Sequence, residues 1–108
     1  MQWDSEQSAT SLVGKPIGRV DEASWEAFHT SAISAVEQAA AANLPLIIDL
    51  AGIDYMSSRG LRVLTLIKRD AEGKQVPLSL ARPNDRMREI LAISRYDKIF
   101  EISATLES

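Results

Sequence analysis

The 108-residue chain has the length of one domain, and its 45% apolar and 25% charged residues indicate a globular protein rather than a disordered or fibrous one. Because the sequence has no cysteine, it excludes disulfide bridges and thiolate sites for metals or redox chemistry. The net charge of −3, with basic and acidic residues interleaved, argues against non-specific nucleic-acid binding.

Two features of the sequence bear on location. The first residues, Met1–Glu6, contain no basic region followed by an apolar stretch, so we expect no secretion signal. The most apolar run, Leu44–Leu50, is too short to cross a bilayer. We therefore expect a cytoplasmic protein without membrane insertion.

The first half of the chain predicts a strand, a helix and a second strand. Residues Ala9–Val20 favour a strand that is interrupted by glycine and proline. Asp21 is predicted to open the helix, because a carboxylate there caps free backbone N–H groups. Leu46–Leu50, short and apolar on both faces, is typical of a central strand. The helix carries an apolar stripe and ends at Asn43; the stripe comprises Trp25, Phe28, Ala32, Ile33, Val36 and Ala40.

The second half repeats the alternation. Gly52–Ser58 is predicted to be a turn, and the apolar spacing from Leu61 onwards predicts a second helix that stops at Gly73. Val76–Ala81 favours another strand. A third helix is predicted to start at Pro83-Asn84-Asp85 and to carry Met87, Ile90, Leu91 and Ile93.

The C-terminal part completes the pattern with a short strand at Ile99–Ile102 and a helical turn or tail at Ala104–Ser108. Alternating strands and helices call for a mainly parallel sheet with helices packed against it. We predict a single α/β domain over residues 1–108, with its core at about 9–104. The expected architecture is a mixed, mostly parallel sheet of four to five strands with about four helices.

The segment Asp49–Leu64 is the main candidate for a functional site in the sequence. In it a buried strand ends, a tight turn presents the hydroxyls of Ser57 and Ser58, and an amphipathic helix begins. Helix N-termini leave backbone N–H groups unpaired and carry partial positive charge. A serine there can cap the helix, or it can accept a phosphoryl group whose charge is tolerated locally. The residues alone leave both roles open.

This segment resembles the signature of the STAS family, the sulfate transporter and anti-sigma factor antagonist domain. The resemblance continues at Gly18–Asp21, which matches the Gly-x-Leu-Asp before the family's first helix. Pro83–Leu91 matches the family's third-helix start, and Ile93–Phe100 is similar to its Leu-Thr-Gly-Leu-x-x-x-Phe segment. The similarity therefore extends over residues 9 to 104.

The resemblance implies an anti-sigma factor antagonist. The family pattern Asp-Ser-x-Gly-Leu places the phosphorylated serine two residues before the glycine, which makes Ser58 the acceptor. The implied partners are an anti-sigma factor serine kinase, which binds the unphosphorylated form and releases it after phosphorylation, and a PP2C-type phosphatase that resets the cycle. The expected partner-binding residues are Asp21, Asp54, Tyr55, Met56, Ser57, Arg59, Gly60 and Arg62.

The sequence departs from the family pattern at two positions beside the acceptor. Ser57 stands where the family has an acidic residue, which offers Ser57 as an alternative acceptor. Arg59 stands where a small residue is usual. Its guanidinium can pair with a phosphate or extend into solvent, and we favour the solvated side chain.

Other function classes find less support. The one histidine, His29, falls beside the apolar stripe and is expected to pack there, and the sequence has no glycine-rich phosphate loop. Single carboxylates that cap helices or end strands explain Asp21, Asp49 and Asp54 better than a metal site does. We therefore expect no catalytic residue, metal or cofactor.

Two further interpretations complete the prediction. The local cluster Arg82, Arg86 and Arg88 is expected to be a solvated helix face rather than a nucleic-acid patch. A non-switching STAS regulatory subunit, or a scaffold of a transport or signalling complex, is the alternative to the phosphorylation switch.

Overall fold

The computed structural model describes residues 1–106, which form a six-stranded sheet with three α-helices. The strands are β1 (Gln2–Gln7), β2 (Leu12–Val20), β3 (Leu46–Asp49), β4 (Ile53–Met56), β5 (Leu78–Ala81) and β6 (Ile102–Ser103). The helices are α1 (Trp25–Ala42), α2 (Ser58–Gly73) and α3 (Asp85–Ile93), and a 3-10 turn spans Tyr96–Lys98.

The sheet has the strand order β1-β2-β3-β5-β6, and β4 pairs with the second half of β2. β1 runs antiparallel to β2, whereas the other strand pairs are parallel. This confirms the mixed, mostly parallel sheet. The described residues contain six strands and three α-helices, however, where we predicted four to five strands and about four helices.

The additional strand β1 lies before the predicted start of the core at residue 9. Its sequence is polar throughout except for Trp3, so no alternation of apolar residues announces a strand. The Trp3 ring packs 6.0 Å from the ring of Phe28 and lies directly over Gly14 of β2. A side chain at position 14 would meet that ring, so the glycine allows the tryptophan to cover the core.

The strand β4 lies inside the segment that we predicted to be a turn. It extends the end of β2, with Val20 opposite Met56, after a register shift that follows Gly18. The φ angle of Gly18 is 122°, a conformation that favours glycine. Ile53 and Met56 point into the core, so the four residues form a strand because of their partner rather than their own pattern.

The helix boundaries correct the prediction at the start of α1 and confirm it at the end. α1 begins at Trp25 rather than at Asp21, because Asp21 closes a turn in which its carboxylate accepts the Ala23 N–H at 3.0 Å. Asn43 ends the helix in the left-handed conformation, with φ 56°. α1 packs against α2, β2 and β3, and it contributes Phe28 to the core.

The C-terminal part differs most from the prediction. The last strand is the two-residue β6, whereas Ile99 is 47% exposed and the Phe100 N–H bonds back to Tyr96 in the 3-10 turn. Ile93 is 78% exposed and does not join the core. Of the predicted final turn, residues 104–106 are not helical, and residues 107 and 108 lie outside the described residues.

Within residues 1–106, no helix combines the length and the apolar composition that crossing a bilayer would require.

Candidate functional site

The turns that follow β2 and β4 lie side by side at one edge of the sheet. Parallel pairing places the carboxyl ends of the two strands together, and the Ser57 N–H donates to the Val20 carbonyl at 2.8 Å. The Asp21 turn and the Ser57–Ser58 turn are therefore adjacent. The structure thus brings together two segments that are separated by more than a helix in the sequence.

The two serines of this turn have different roles. The Ser57 side chain accepts the Gly60 N–H at 3.3 Å, so Ser57 is the N-cap of α2. Ser58 is the first residue of the helix and is exposed. Among the described residues, its hydroxyl makes no hydrogen bond. The side chain that caps the helix is therefore not the one that faces the solvent.

Gly60 brings the first turn of α2 close to the sheet. A Cβ atom at this position would lie 2.5 Å from Met56 Cγ and 2.7 Å from Val20 Cγ1. Met56 itself is 2% exposed. Of the expected partner-binding residues, the structure therefore places Met56 and Gly60 beneath the turn, where they set its position and do not present side chains to the solvent.

The Asp21 turn is held by a closed network of hydrogen bonds. The Ser24 hydroxyl donates to the Arg19 carbonyl at 2.6 Å and accepts the Asp21 N–H at 3.0 Å. The hydrogen bond from the Ala23 N–H, helped by Ser24 and Arg19, lowers the pKa of Asp21 below its ordinary value. Asp21 therefore carries a firmly ionised carboxylate on this face.

Two arginine guanidinium groups lie over the Tyr55 ring. The guanidinium carbon of Arg19 lies 4.8 Å from the centre of the Tyr55 ring, and that of Arg86 lies 5.5 Å from it. Asp54, next to Tyr55, is exposed. Arg19 was not among the expected site residues, and Arg86 was expected to lie on a solvated helix face. Both come to the site from other elements, and no local motif announces their contact with Tyr55.

Arg59 keeps 46% of its side-chain surface in solvent and also contacts two residues near the start of α1. Its guanidinium stacks 5.0 Å from the centre of the Trp25 ring and lies 3.8 Å from a carboxylate oxygen of Glu22. Stacking on an aromatic face suits the planar, weakly hydrated guanidinium. Arg62, one turn further along α2, is exposed. Arg59 thus links the start of α2 to the start of α1.

Asp49, which ends β3, is paired rather than available to a ligand. Its side chain is 3% exposed and receives two hydrogen bonds from Arg82, one of them from Nε at 3.1 Å. Burial raises the pKa of Asp49, but the hydrogen bonds from Arg82 and the Ala51 N–H outweigh it and hold that pKa below its ordinary value. Arg82 was expected on a solvated helix face. It keeps 44% of its side-chain surface in solvent, but it lies before α3 rather than on it and pairs with Asp49.

The sequence also contains a histidine and single carboxylates that could be considered for catalysis or metal binding. His29 is half-buried on α1. Across residues 1–106, no group of three or more histidine, aspartate or glutamate side chains is arranged to hold a metal ion. The face formed by the two turns presents the Ser58 hydroxyl and the carboxylates of Asp21 and Asp54. It also presents the Tyr55 ring beside Arg19 and Arg86, and the Trp25 ring beside Arg59.

Two known proteins are similar to this chain in sequence. A STAS-domain-containing protein of Pseudomonas aeruginosa (strain UCBPP-PA14) is 33% identical over 86 residues, 80% of this chain and 81% of that protein. BtrV of Bordetella bronchiseptica (strain ATCC BAA-588 / NCTC 13252 / RB50), described as a candidate anti-sigma factor antagonist, is 33% identical over 63 residues, 58% of this chain and 54% of that protein.

Solved structures share the fold. An anti-sigma factor antagonist from Mycobacterium paratuberculosis has a TM-score of 0.84 at 20% identity, covering 98% of this chain and 87% of its own. The phosphorylated form of the Bacillus cell fate determinant SpoIIAA has a TM-score of 0.68 at 20% identity, covering 98% and 94%. The family model of the STAS domain matches residues 2–108. Because that match spans nearly the whole sequence, the chain belongs to the STAS domain family.

Proposed function

We propose that the chain is an anti-sigma factor antagonist, a binding module rather than an enzyme, with Ser58 as its phosphorylation switch. In the unphosphorylated state it binds an anti-sigma factor that is also a serine kinase. Phosphorylation of Ser58 ends the complex, and a PP2C-type phosphatase restores it. This cycle belongs to the cytoplasm. The similarity to BtrV and to the solved antagonist structure supports the proposal.

The position of Ser58 is the observation that carries the proposal. Its exposed hydroxyl lies in the first turn of α2, and the cap of that helix is provided by Ser57 instead. A kinase can therefore modify Ser58 without removing the interaction that starts the helix. The partial positive charge at the helix N-terminus favours a phosphoryl group there, so the domain itself stays folded.

The charge on the proposed docking face explains how phosphorylation ends the complex. The exposed part of this face consists of Asp21, Asp54, Tyr55, Ser57, Ser58, Arg59 and Arg62. A phosphoryl group on Ser58 adds a charge of roughly −1.5 to −2 in the middle of this face. Burying that charge against a surface complementary to a neutral hydroxyl costs on the order of several kcal/mol, which is enough to separate a transient complex.

Mass spectrometry tests the acceptor. After incubation with ATP and an anti-sigma factor serine kinase, the chain should gain about 80 Da, the mass of one phosphoryl group, at Ser58. Ser58→Ala should abolish the gain. Ser57→Ala is the matched control, since it removes the cap and keeps the proposed acceptor. A gain confined to Ser57 would make Ser57 the switch.

Binding tests the consequence of the modification. Ser58→Asp should weaken binding to the same kinase by about 100-fold, equivalent to roughly 2.7 kcal/mol. Equal binding by Ser58→Asp and wild type would contradict the switch. One observation favours the alternative, a non-switching STAS regulatory subunit or scaffold: the acidic residue that the family has before the acceptor is Ser57 here. That alternative would hold if neither serine were modified.

A further inference from the structure

The exposed face of α2 carries a regular stripe of basic and apolar side chains. Arg59, Arg62, Leu66 and Arg69 are spaced by three, four and three residues. At about 100° per residue, this spacing places the four side chains within an arc of about 80°. Leu66 is one of the large apolar residues exposed on the protein, at 37%. The stripe therefore has an apolar side chain between arginines.

Two shallow depressions lie along this stripe and share Arg62 and Leu66. The first, of about 340 Å³, is lined by Trp25, Arg59, Arg62, Val63 and Leu66. The second, of about 260 Å³, is lined by Arg62, Thr65, Leu66, Arg69 and Tyr96. Because they share two side chains, they form one groove, which we call the α2 groove. It extends from Trp25 at the start of α1 to Tyr96 in the 3-10 turn.

Side chains at both ends of the α2 groove are held by contacts with their neighbours. At one end, Arg59 stacks on Trp25. At the other end, the Thr65 hydroxyl donates to the Tyr96 hydroxyl at 3.0 Å, and the Tyr96 ring stacks with Phe100 at 6.2 Å. A partner would therefore meet a formed surface and would not have to order it, which favours binding.

The charge of the α2 groove is unbalanced. Arg59 has one long ion pair, 3.8 Å to Glu22. Arg62 and Arg69 form no ion pair with any residue in the range 1–106. Uncompensated arginines concentrate positive potential on this face of a chain whose net charge is −3. The charge complement of this face is a row of carboxylates, and the complement of Leu66 and Val63 is an apolar side chain.

We propose that the α2 groove docks an acidic, amphipathic segment of a partner protein. Carboxylates spaced along one side of the segment meet the three arginines, and an apolar side chain fills the depression over Val63 and Leu66 beside Trp25. The α2 groove shares Arg59 and Arg62 with the proposed docking face, and the inference rests on the proposed function in taking the partner to be a protein. It requires no phosphorylation of Ser58, so the Ser58→Asp test can fail while the groove test succeeds, and the reverse.

A synthetic peptide tests the groove directly. The probe is a helical peptide of about 14 residues, or four turns. Leucines line one face of the helix, and glutamates line the side next to that face. The Trp3→Phe variant leaves Trp25 as the one tryptophan, so its fluorescence reports on the groove. We expect the peptide to change this fluorescence, and we expect binding to weaken as the salt concentration rises. The same peptide with glutamine in place of glutamate should bind at least about tenfold more weakly, equivalent to about 1.4 kcal/mol.

Charge reversal on the protein provides the matched comparison. Arg62→Glu lies at the centre of the groove, whereas Arg88→Glu changes the net charge equally on the exposed face of α3. Both residues are exposed, so both variants should fold. We expect Arg62→Glu to weaken peptide binding at least about tenfold and Arg88→Glu to change it less than about twofold.

Four results would overturn the proposal. The first is the absence of peptide binding up to a concentration of about 1 mM. The second is equal weakening of peptide binding by Arg62→Glu and Arg88→Glu. A wild-type dimer that Arg62→Glu converts to a monomer in sedimentation would make a second copy of the chain the occupant. Binding to phosphatidylserine vesicles that is lost in Arg62→Glu, without peptide binding, would make the occupant a membrane surface.

Discussion

Arg82, through its ion pair with Asp49 and its backbone N–H, joins the ends of three neighbouring strands, β3, β5 and β6. Asp49 lies opposite Ala81 in the parallel register of β3 and β5, so the next residue, Arg82, reaches its carboxylate. The Arg82 N–H also donates to the Ser103 carbonyl at 2.8 Å. Arg82 adopts a left-handed conformation, with φ 54°, which few arginines do. The bidentate pair accompanies this unfavourable backbone conformation at the edge of the sheet.

Removing the charge of Asp49 should destabilise the protein. Breaking a buried ion pair costs about 3–5 kcal/mol, but Arg82 keeps 44% of its side-chain surface in solvent and can be hydrated. We therefore expect Asp49→Asn to lower the free energy of unfolding by about 2 kcal/mol, measured by urea denaturation at pH 7. Arg88→Asn, which changes an exposed arginine of α3, is the control and should change stability by less than about 0.5 kcal/mol.

The same carboxylate gives the stability a pH dependence of known sign. Because the pKa of Asp49 is lowered in the folded state, its contribution is fully present above the unfolded pKa of about 3.9. The contribution is lost as the pH falls through the lower folded pKa. Between pH 5 and pH 3, the wild type should therefore lose more stability than Asp49→Asn. Equal losses in the two proteins would show that the ion pair does not contribute in this way.

At the scale of the element, the close approach of α2 to the sheet depends on one glycine. Gly60 → Ala would place a Cβ against Val20, a stiff β-branched side chain, and against Met56. We expect this overpacking to cost about 1–3 kcal/mol in the free energy of unfolding. It should also shift the Ser57–Ser58 turn, since the first turn of α2 has to move away from β2.

A second glycine of the same helix provides the control for that substitution. Gly73 is the last residue of α2, and a Cβ there meets nothing within 4 Å. Gly73→Ala should therefore leave stability unchanged or raise it by up to about 1 kcal/mol, because alanine favours the helix. If thermal denaturation showed Gly60→Ala and Gly73→Ala to be equally stable, the contact of Gly60 with the sheet would not limit the position of α2.

At the scale of the whole molecule, the sequence predicted those strands and helix ends whose own residues carry a signal. It did not predict the strands that form only because a neighbouring strand pairs with them. The apolar run at β3, the left-handed end of α1 at Asn43 and the start of α3 are all visible in short segments. β4 escaped prediction because its four residues become a strand only where β2 supplies a partner. β1 escaped because it is polar and pairs on one side.

The candidate site also has a part that the sequence predicted and a part that it did not. A strand, a turn with two hydroxyls and a helix could be recognised within one continuous segment, and so could the positions of Ser57 and Ser58. The contacts of Arg19 and Arg86 with Tyr55, and of Arg59 with Trp25, could not, because each joins different elements. The ion pair of Asp49 and Arg82 could have been predicted from the sequence. One strand ends at Asp49, and Arg82 directly follows the end of the neighbouring parallel strand.

The position of each strand in the sheet predicts an order of local stability. β3 is bonded to β2 on one side and to β5 on the other, and its residues are buried. β1 is bonded to β2 alone and is exposed apart from Trp3. In native-state hydrogen exchange, the β3 amides should exchange only through global unfolding, whereas the β1 amides should exchange faster through local opening.

Trp3→Ala separates local opening of β1 from global unfolding. Without the ring that packs on Phe28, β1 loses its main apolar contact with the core. Exchange in β1 should therefore accelerate more than exchange in β3, which follows only the change in global stability. Exchange in the native state, followed by proteolysis and mass spectrometry of the fragments, resolves the two segments. If the β1 amides were as slow as those of β3 in the wild type, β1 would belong to the same cooperative unit as the centre of the sheet, and its single-sided pairing would not decide its stability.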